Sequence, residues 1–273
     1  MGAQIKDIDF LYVNNLQLHM KVKVFYHVFI PPDIRAASWT LYVDEQLGMI
    51  KNSKLSDCAG VYVTFTMPKF WTGFGNLPYT SEANPNNFIN FGERVHEYMS
   101  RRYPWVTILE IRDINANIFE GLTLKYLHDA SQKEDFLALY IHTKGITTAS
   151  ETVLAWKQLL NHYHINQWPQ AIRLLDDYQV VGMQDAHSVN HPIVSGNFFW
   201  ARSDYIRGLV EPLDTRTYTH EQQLWPGNHA YRYGFELWIL SQNPQVYYWV
   251  DTKINHYDKY CFLEELLKQN PPS

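Results

Sequence analysis

Cysteine is nearly missing from this chain. Cys58 and Cys261 are the only two in 273 residues. They lie far apart and outside any C-x-x-C, which argues against a disulfide scaffold and against a thiolate metal site. Basic runs are missing too. Arg101-Arg102 is the densest basic pair and the formal net charge is −5, so the electrostatic footprint of a nucleic-acid binder is not there. No apolar run approaches the length of a membrane span, the first residues show no charged-then-apolar leader, and no N-x-S/T sequon occurs. These absences predict a soluble protein of a reducing compartment, the cytoplasm. The common nucleotide-binding and hydrolase signatures are equally lacking: no G-x-G-x-x-G, no Walker motif, no G-x-S-x-G and no H-E-x-x-H. With no internal repeat, no low-complexity segment and no dividing linker, the length suits a single α/β domain over residues 1–273.

What is present is aromatic: Phe, Trp and Tyr make up 15 % of the residues, against 46 % hydrophobic and 19 % charged. Flat rings with polar tips suit sugar or base stacking, and they suit an ordinary core equally well. Strands are predicted over Lys21–Ile30, Gly60–Thr66, Val106–Ile111, Phe136–His142 and Gln179–Gly182. Helices are predicted over Ser38–Lys51, Asn90–Arg102, Ile118–Ser131, Ser150–His164 and Trp168–Tyr178. Ser150 reads as an N-cap and Pro169 as a first-turn residue. Strand and helix alternate through the first two-thirds. That pattern predicts a Rossmann-type, mostly parallel sheet flanked by helices, with a less regular C-terminal third. Such sheets bind ligands at the carboxyl ends of their strands. The Gly-, Pro- and Asn-rich segment Phe70–Asn90 is the longest loop. Phe10–Val13 suits a short extra strand.

Three stretches carry chemistry. Ile193–Tyr205 (I-V-S-G-N-F-F-W-A-R-S-D-Y) begins as a buried strand, then interrupts itself with Ser195-Gly196-Asn197 before Phe198, Phe199 and Trp200. A glycine inside a strand admits another backbone or a ligand. The plain alternative is a kinked core strand. L-Y-I-H-T-K-G-I, residues 139–146, ends a buried strand on His142, Thr143, Lys144 and Gly145. There lysine supplies a point charge and glycine lets backbone N–H groups approach an anion. A solvated polar turn is the plain alternative. Y-R-Y-G-F-E-L-W-I-L, residues 231–240, sets Glu236 near a helix start. The helix dipole favours a carboxylate there, and it can also serve as a general base. Of the twelve histidines, His162 and His164 lie two apart on a helix and do not face one site.

Together these stretches resemble a group of glycosyltransferase-like proteins of large algal viruses and bacterial polysaccharide clusters. The matching residues are Tyr26-His27, Asp44-Glu45-Gln46, Leu139–Gly145, Trp156, Val180–Gly182, Ser195–Ala201 and Glu236–Ile239. The resemblance spans about residues 22–240, and H-T-K-G and S-G-N-F-F-W are its more specific elements. It implies a GT-A-like fold, with a nucleotide-sugar half near 22–145 and an acceptor half near 146–273. It implies transfer of a sugar from a nucleotide-diphosphate donor, a UDP-sugar, to the hydroxyl of a glycan or glycoprotein by an inverting displacement. A virus-encoded protein of this kind would work in the host cytoplasm.

The resemblance implies donor binding by His27, Phe29, His142, Thr143, Lys144, Gly145, Ser195, Gly196, Asn197 and Trp200. It implies Glu236 as the base that takes the acceptor proton, with Asp185 as the fallback. The Asp-x-Asp motif expected after the fourth strand is missing; Asp7-Ile8-Asp9 is a chance match. Two arrangements can then neutralise the departing diphosphate. Lys144 with His142 can do so without metal, or Mn²⁺ or Mg²⁺ can be held by scattered ligands such as His142 and His256. The H-T-K-G turn and the S-G-N notch are expected to face each other across one crevice, with Lys144 and Asn197 turned inward. A catalytically silent sugar-binding module is the competing class, favoured by the missing Asp-x-Asp. A nucleotidyltransferase ranks last, because Pro31-Pro32-Asp33 stands where its Gly-rich loop belongs.

Overall fold

Two apolar runs, K-V-K-V-F-Y-H-V-F and F-L-A-L-Y-I-H, lack the alternation of a half-exposed strand. In the computed structural model they form neighbouring central strands, buried over nearly their whole lengths, as a sheet covered on both faces requires. The structure describes residues 20–30, 39–68, 91–114, 120–146, 150–184, 194–214 and 230–249. Among them the strands are β1 (Lys21–Phe29), β2 (Ala59–Pro68), β3 (Val106–Ile114), β4 (Phe136–His142), β5 (Val180–Gln184), β6 (Val194–Arg202) and β7 (Val246–Tyr248). They make one sheet in the order β3-β2-β1-β4-β6-β5-β7. Only β6 runs against its neighbours.

The helices are α1 (Trp39–Asn52), α2 (Phe91–Arg102), α3 (Gly121–Ser131), α4 (Glu151–Asn161), α5 (Trp168–Leu174), α6 (Ser203–Arg207) and α7 (Ala230–Trp238). The chain steps outward from β1 to β2 to β3, then returns to β4 on the other side of β1. Crossovers between parallel strands are right-handed, so reversing direction moves the connecting helix to the opposite face. Accordingly α1 and α2 share one face with α4 and α5, over Val24, Tyr26, Val63, Leu139, Phe198 and Trp200. The other face carries α3, α6 and α7 over Phe25, Phe136, Tyr140, Phe199 and Ala201. The buried indoles of Trp168, Trp200 and Trp238 donate to the carbonyls of Ser53, His164 and Val210, which satisfies the polar tip of each large apolar ring.

The observed helices fall within two to four residues of the expected ones, with one instructive difference. Ser150 does cap α4, accepting from the Val153 N–H at 3.3 Å. The helix expected to run on to His164 instead widens into a π-helical turn over His162–Asn166. That turn frees two carbonyls: Leu160 O accepts from His164 Nδ1 and His164 O from Trp200 Nε1. The expected strand at Phe10–Val13 and the loop at Phe70–Asn90 lie outside the described residues. Among the described residues no helix is long and apolar enough to cross a membrane.

Candidate functional site

The strand order reverses at β1 and β4, and at such switch points the strand ends splay to leave a crevice. Here the ends are laced together first. In the shared register His27 pairs with His142. Thr143 N–H donates to His27 O at 3.1 Å, and Phe29 N–H donates to Thr143 Oγ1 at 3.0 Å. Lys144 N–H then reaches back to His142 O at 2.8 Å, and Gly145 takes φ 80°, a left-handed conformation glycine adopts without strain. Tyr42 and Gln46 of α1 donate to the carbonyls of Gly145 and His142. H-T-K-G is therefore a fixed turn whose strand-side groups are already engaged.

His27 lies beneath that turn, fully buried. Its Nδ1 meets Thr123 Oγ1 at 3.0 Å and its Nε2 meets Thr66 Oγ1 at 3.2 Å. Burial pushes the imidazole pKa down to about 3, against an upward pull from the Glu120 carboxylate. The ring is neutral, with one nitrogen donating and the other accepting. It braces β1, β2 and α3 from inside.

The S-G-N interruption is a large bulge. Gly182 pairs with Phe199 and Gln184 with Val194, so residues 194–199 of β6 lie against only 182–184 of β5. Gly196 and Asn197 take φ 66° and 53°. The first must be glycine, since a Cβ would stand 2.5 Å from Leu160 Cδ1, and asparagine is among the side chains that best tolerate the second. The bulge offers Gly196 O to His142 Nε2 at 2.8 Å. A carbonyl only accepts, so Nε2 carries the proton. The bulge also turns the Asn197 amide toward α3, where Nδ2 donates to Glu120 Oε1 at 3.2 Å.

Glu120 immediately precedes α3, and the next residue brings α7 alongside. A Cβ on Gly121 would lie 2.5 Å from Phe235 Cζ, so only glycine lets the two helices meet there. Glu236 follows Phe235 on α7 and is half-buried. Burial, and then the Glu120 and Glu236 charges, push the Tyr140 hydroxyl pKa well above its usual value. The charges of two carboxylates, one at the head of α3 and one on α7, thus bear on one strand's tyrosine.

Lys144 goes elsewhere. Its ammonium lies 4.2 Å from the centre of the Trp156 ring on α4, on the α1/α4 face, whereas Asn197 points to the α3/α7 face. The two turns do adjoin through the His142–Gly196 bond, but Lys144 and Asn197 do not turn toward each other as expected. The reason is local. On a continuing strand Lys144 would share the face of His142, two residues back; the tight turn at Thr143 rotates it across. Trp200 is fully buried on the α1/α4 side, held by the π-helical turn. Phe29 is half-buried beside Thr143, and Ser195 is fully buried in the bulge. Asp185 and His256 lie outside the described residues. No group of three His, Cys, Asp or Glu side chains suited to a metal occurs among the described residues, and one nitrogen of His142 is already spent on Gly196.

Residues 25–246 match the family model described as a domain of unknown function, DUF8361. The chain belongs to the DUF8361 family. Neither the curated proteins nor the solved structures gave a match. The match covers all seven described strands except the first four residues of β1 and the last two of β7. In this DUF8361 domain the polar residues of the carboxyl edge, from Glu120 and His142 to Asn197 and Glu236, all fall inside the matched span.

Sequence reasoning missed Glu120, Tyr140 and Gln46 as parts of this edge. Gln46 was visible only as part of D-E-Q, whose work the DUF8361 fold makes plain. Asp44 accepts from Tyr98 and Tyr103 on the α2 side, Glu45 pairs with Lys157, and Gln46 bonds Asn161 and the His142 carbonyl. Glu120 gave one weak signal, the adjacent glycine at a helix start.

Proposed function

We propose that this protein is a glycosyltransferase that moves a sugar from a nucleotide-diphosphate donor, a UDP-sugar, to a glycan or glycoprotein hydroxyl with inversion. The observation that carries the reading is the carboxyl edge at the β1/β4 reversal. There the carboxylate–amide pair Glu120–Asn197 adjoins the bulge that holds His142, and the charges of Glu120 and of a second carboxylate, Glu236, both bear on Tyr140 of the same face of a Rossmann-like sheet. Neutral polyols are bound by such carboxylate and amide groups, and an inverting transfer needs a carboxylate that takes up the proton of the attacking hydroxyl. Glu236 takes that role, with Asp185 as fallback. The diphosphate lies toward the His142–Gly145 turn; Lys144 rests on the Trp156 ring of the opposite face and supplies positive charge to the breaking bond only by swinging off that ring. A divalent ion is the other source of that charge. The described residues do not make a cage for one.

Ligand that binds only the folded state raises the melting temperature by mass action. A thermal-shift screen of nucleotide sugars, with and without Mn²⁺, is expected to single out a UDP-sugar above UDP-free sugars and other nucleotides. A flat response across the panel contradicts the reading. Binding of free sugars with no response to any nucleotide favours the silent sugar-binding module instead.

A further inference from the structure

The bulge of β6 and the strand beside it hold buried polar groups with no hydrogen-bond partner among the described residues. They are Tyr140 Oη, Ser195 Oγ and Asn197 Oδ1. A bare buried hydroxyl or amide oxygen loses its bond to water and gains nothing in return, so native folds keep few of them. These three are not scattered. Ser195 and Asn197 flank Gly196, and the Tyr140 ring stacks on Phe199, two residues beyond Asn197, at 5.2 Å. Glu120 binds the other end of the Asn197 amide.

The donor and acceptor inventory narrows what suits them. Tyr140 and Ser195 each donate and accept, whereas Asn197 Oδ1 and the Glu120 carboxylate only accept. A phosphate or carboxylate ligand brings no proton to Asn197 and meets the charges of Glu120 and Glu236. A ligand hydroxyl both donates and accepts, and it satisfies the whole set. We propose that Glu120, Asn197, Ser195 and Tyr140 form a hydroxyl-reading subsite for the ring of a neutral sugar. Glu120 is its specificity-determining residue. Asn197 holds one carboxylate oxygen, and the other accepts from a ring hydroxyl. The inference rests on the transferase reading only for the class of ligand. Sites built to bond a hydroxyl discriminate strongly against analogues that lack it, because their own buried groups are then left bare.

Saturation-transfer NMR and calorimetry on the full chain test this, with D-glucose, D-galactose, D-mannose and D-xylose as probes and UDP as control. Tyr140→Phe and Ser195→Ala remove hydroxyls that bond nothing among the described residues. Both variants are expected to keep the wild-type melting temperature and UDP affinity while binding the preferred sugar about tenfold more weakly. Glu120→Gln is expected to lose more and to flatten the preference among the four sugars. Wild-type sugar affinity in Tyr140→Phe and Ser195→Ala overturns the subsite. So does a drop in melting temperature for both, which would show their hydroxyls bonded within the fold. If the sugars bind as expected but no donor releases UDP, the subsite stands and the transferase reading fails.

Discussion

At the scale of single residues, the histidines carry a consequence for stability. Burial holds His27 at a pKa of about 3 and His164 at about 4, both below the ordinary imidazole value near ~6.5. Above that ordinary value neither the folded nor the unfolded chain binds the proton, and the stabilisation is complete. As pH falls toward the folded values, the unfolded chain takes protons that the folded one refuses. Each histidine then removes up to about 1.4 kcal/mol per pH unit. Urea midpoints are therefore expected to fall between pH 7 and about pH 5.5, a range above the ordinary carboxylate values. Equal midpoints would mean that these rings are not held neutral. His27 also marks a limit of sequence reading. A histidine at a strand's carboxyl end looks like a ligand group, and only the threonines of β2 and α3, at positions 64, 66 and 123, reveal it as a brace. Glu120 failed to stand out for the mirror reason: its partner Asn197 lies 77 residues away.

At the scale of elements, α1 sets the shape of the edge. Its D-E-Q run faces three ways at once, and Gln46 is the residue that links α4 to the end of β4. Replacing Gln46 with Leu keeps the volume but leaves the Oδ1 of Asn161, which is fully buried, without its donor. The expected cost is about 1–3 kcal/mol, read as a lower urea midpoint, together with weaker binding of the cognate nucleotide sugar as the His142 carbonyl keeps only the Lys144 N–H of its two donors. Unchanged binding with lowered stability would confine D-E-Q to holding the helices. The elements themselves were largely legible, because periodicity, the Ser150 cap and proline punctuation are local properties. The π-helical turn was not, since it answers to Trp200 on a distant strand. Nor was the rotation of Lys144 across the sheet, which depends on how Thr143 laces β4 to β1. Composition marks a turn as cationic without fixing which face its charge meets.

At the scale of the whole molecule, one reversal in strand order places a small polar edge at the seam between two large apolar faces. The alternation of strands and helices was enough to foresee that sheet, and the rule that ligands bind at strand carboxyl ends directs attention to the edge proposed here as the working one. What the sequence left open was which residues from separate helices converge there. Glu120 stands at the head of α3, where glycine at 121 lets α7 touch, and a left-handed pair at 196–197 turns an amide to meet its carboxylate. The account assigns Glu236 the proton of the acceptor hydroxyl and gives Glu120 the task of holding the sugar. The most direct test measures UDP release from a panel of UDP-sugars with a mixed glycan acceptor, for the wild-type chain and for Glu236→Gln. The expected result is turnover of one donor by the wild type and a loss of at least about a hundredfold in kcat in the variant, the usual weight of a general base, with donor affinity unchanged. UDP release by Glu236→Gln at the wild-type rate, or none from any donor by the wild type, would contradict it.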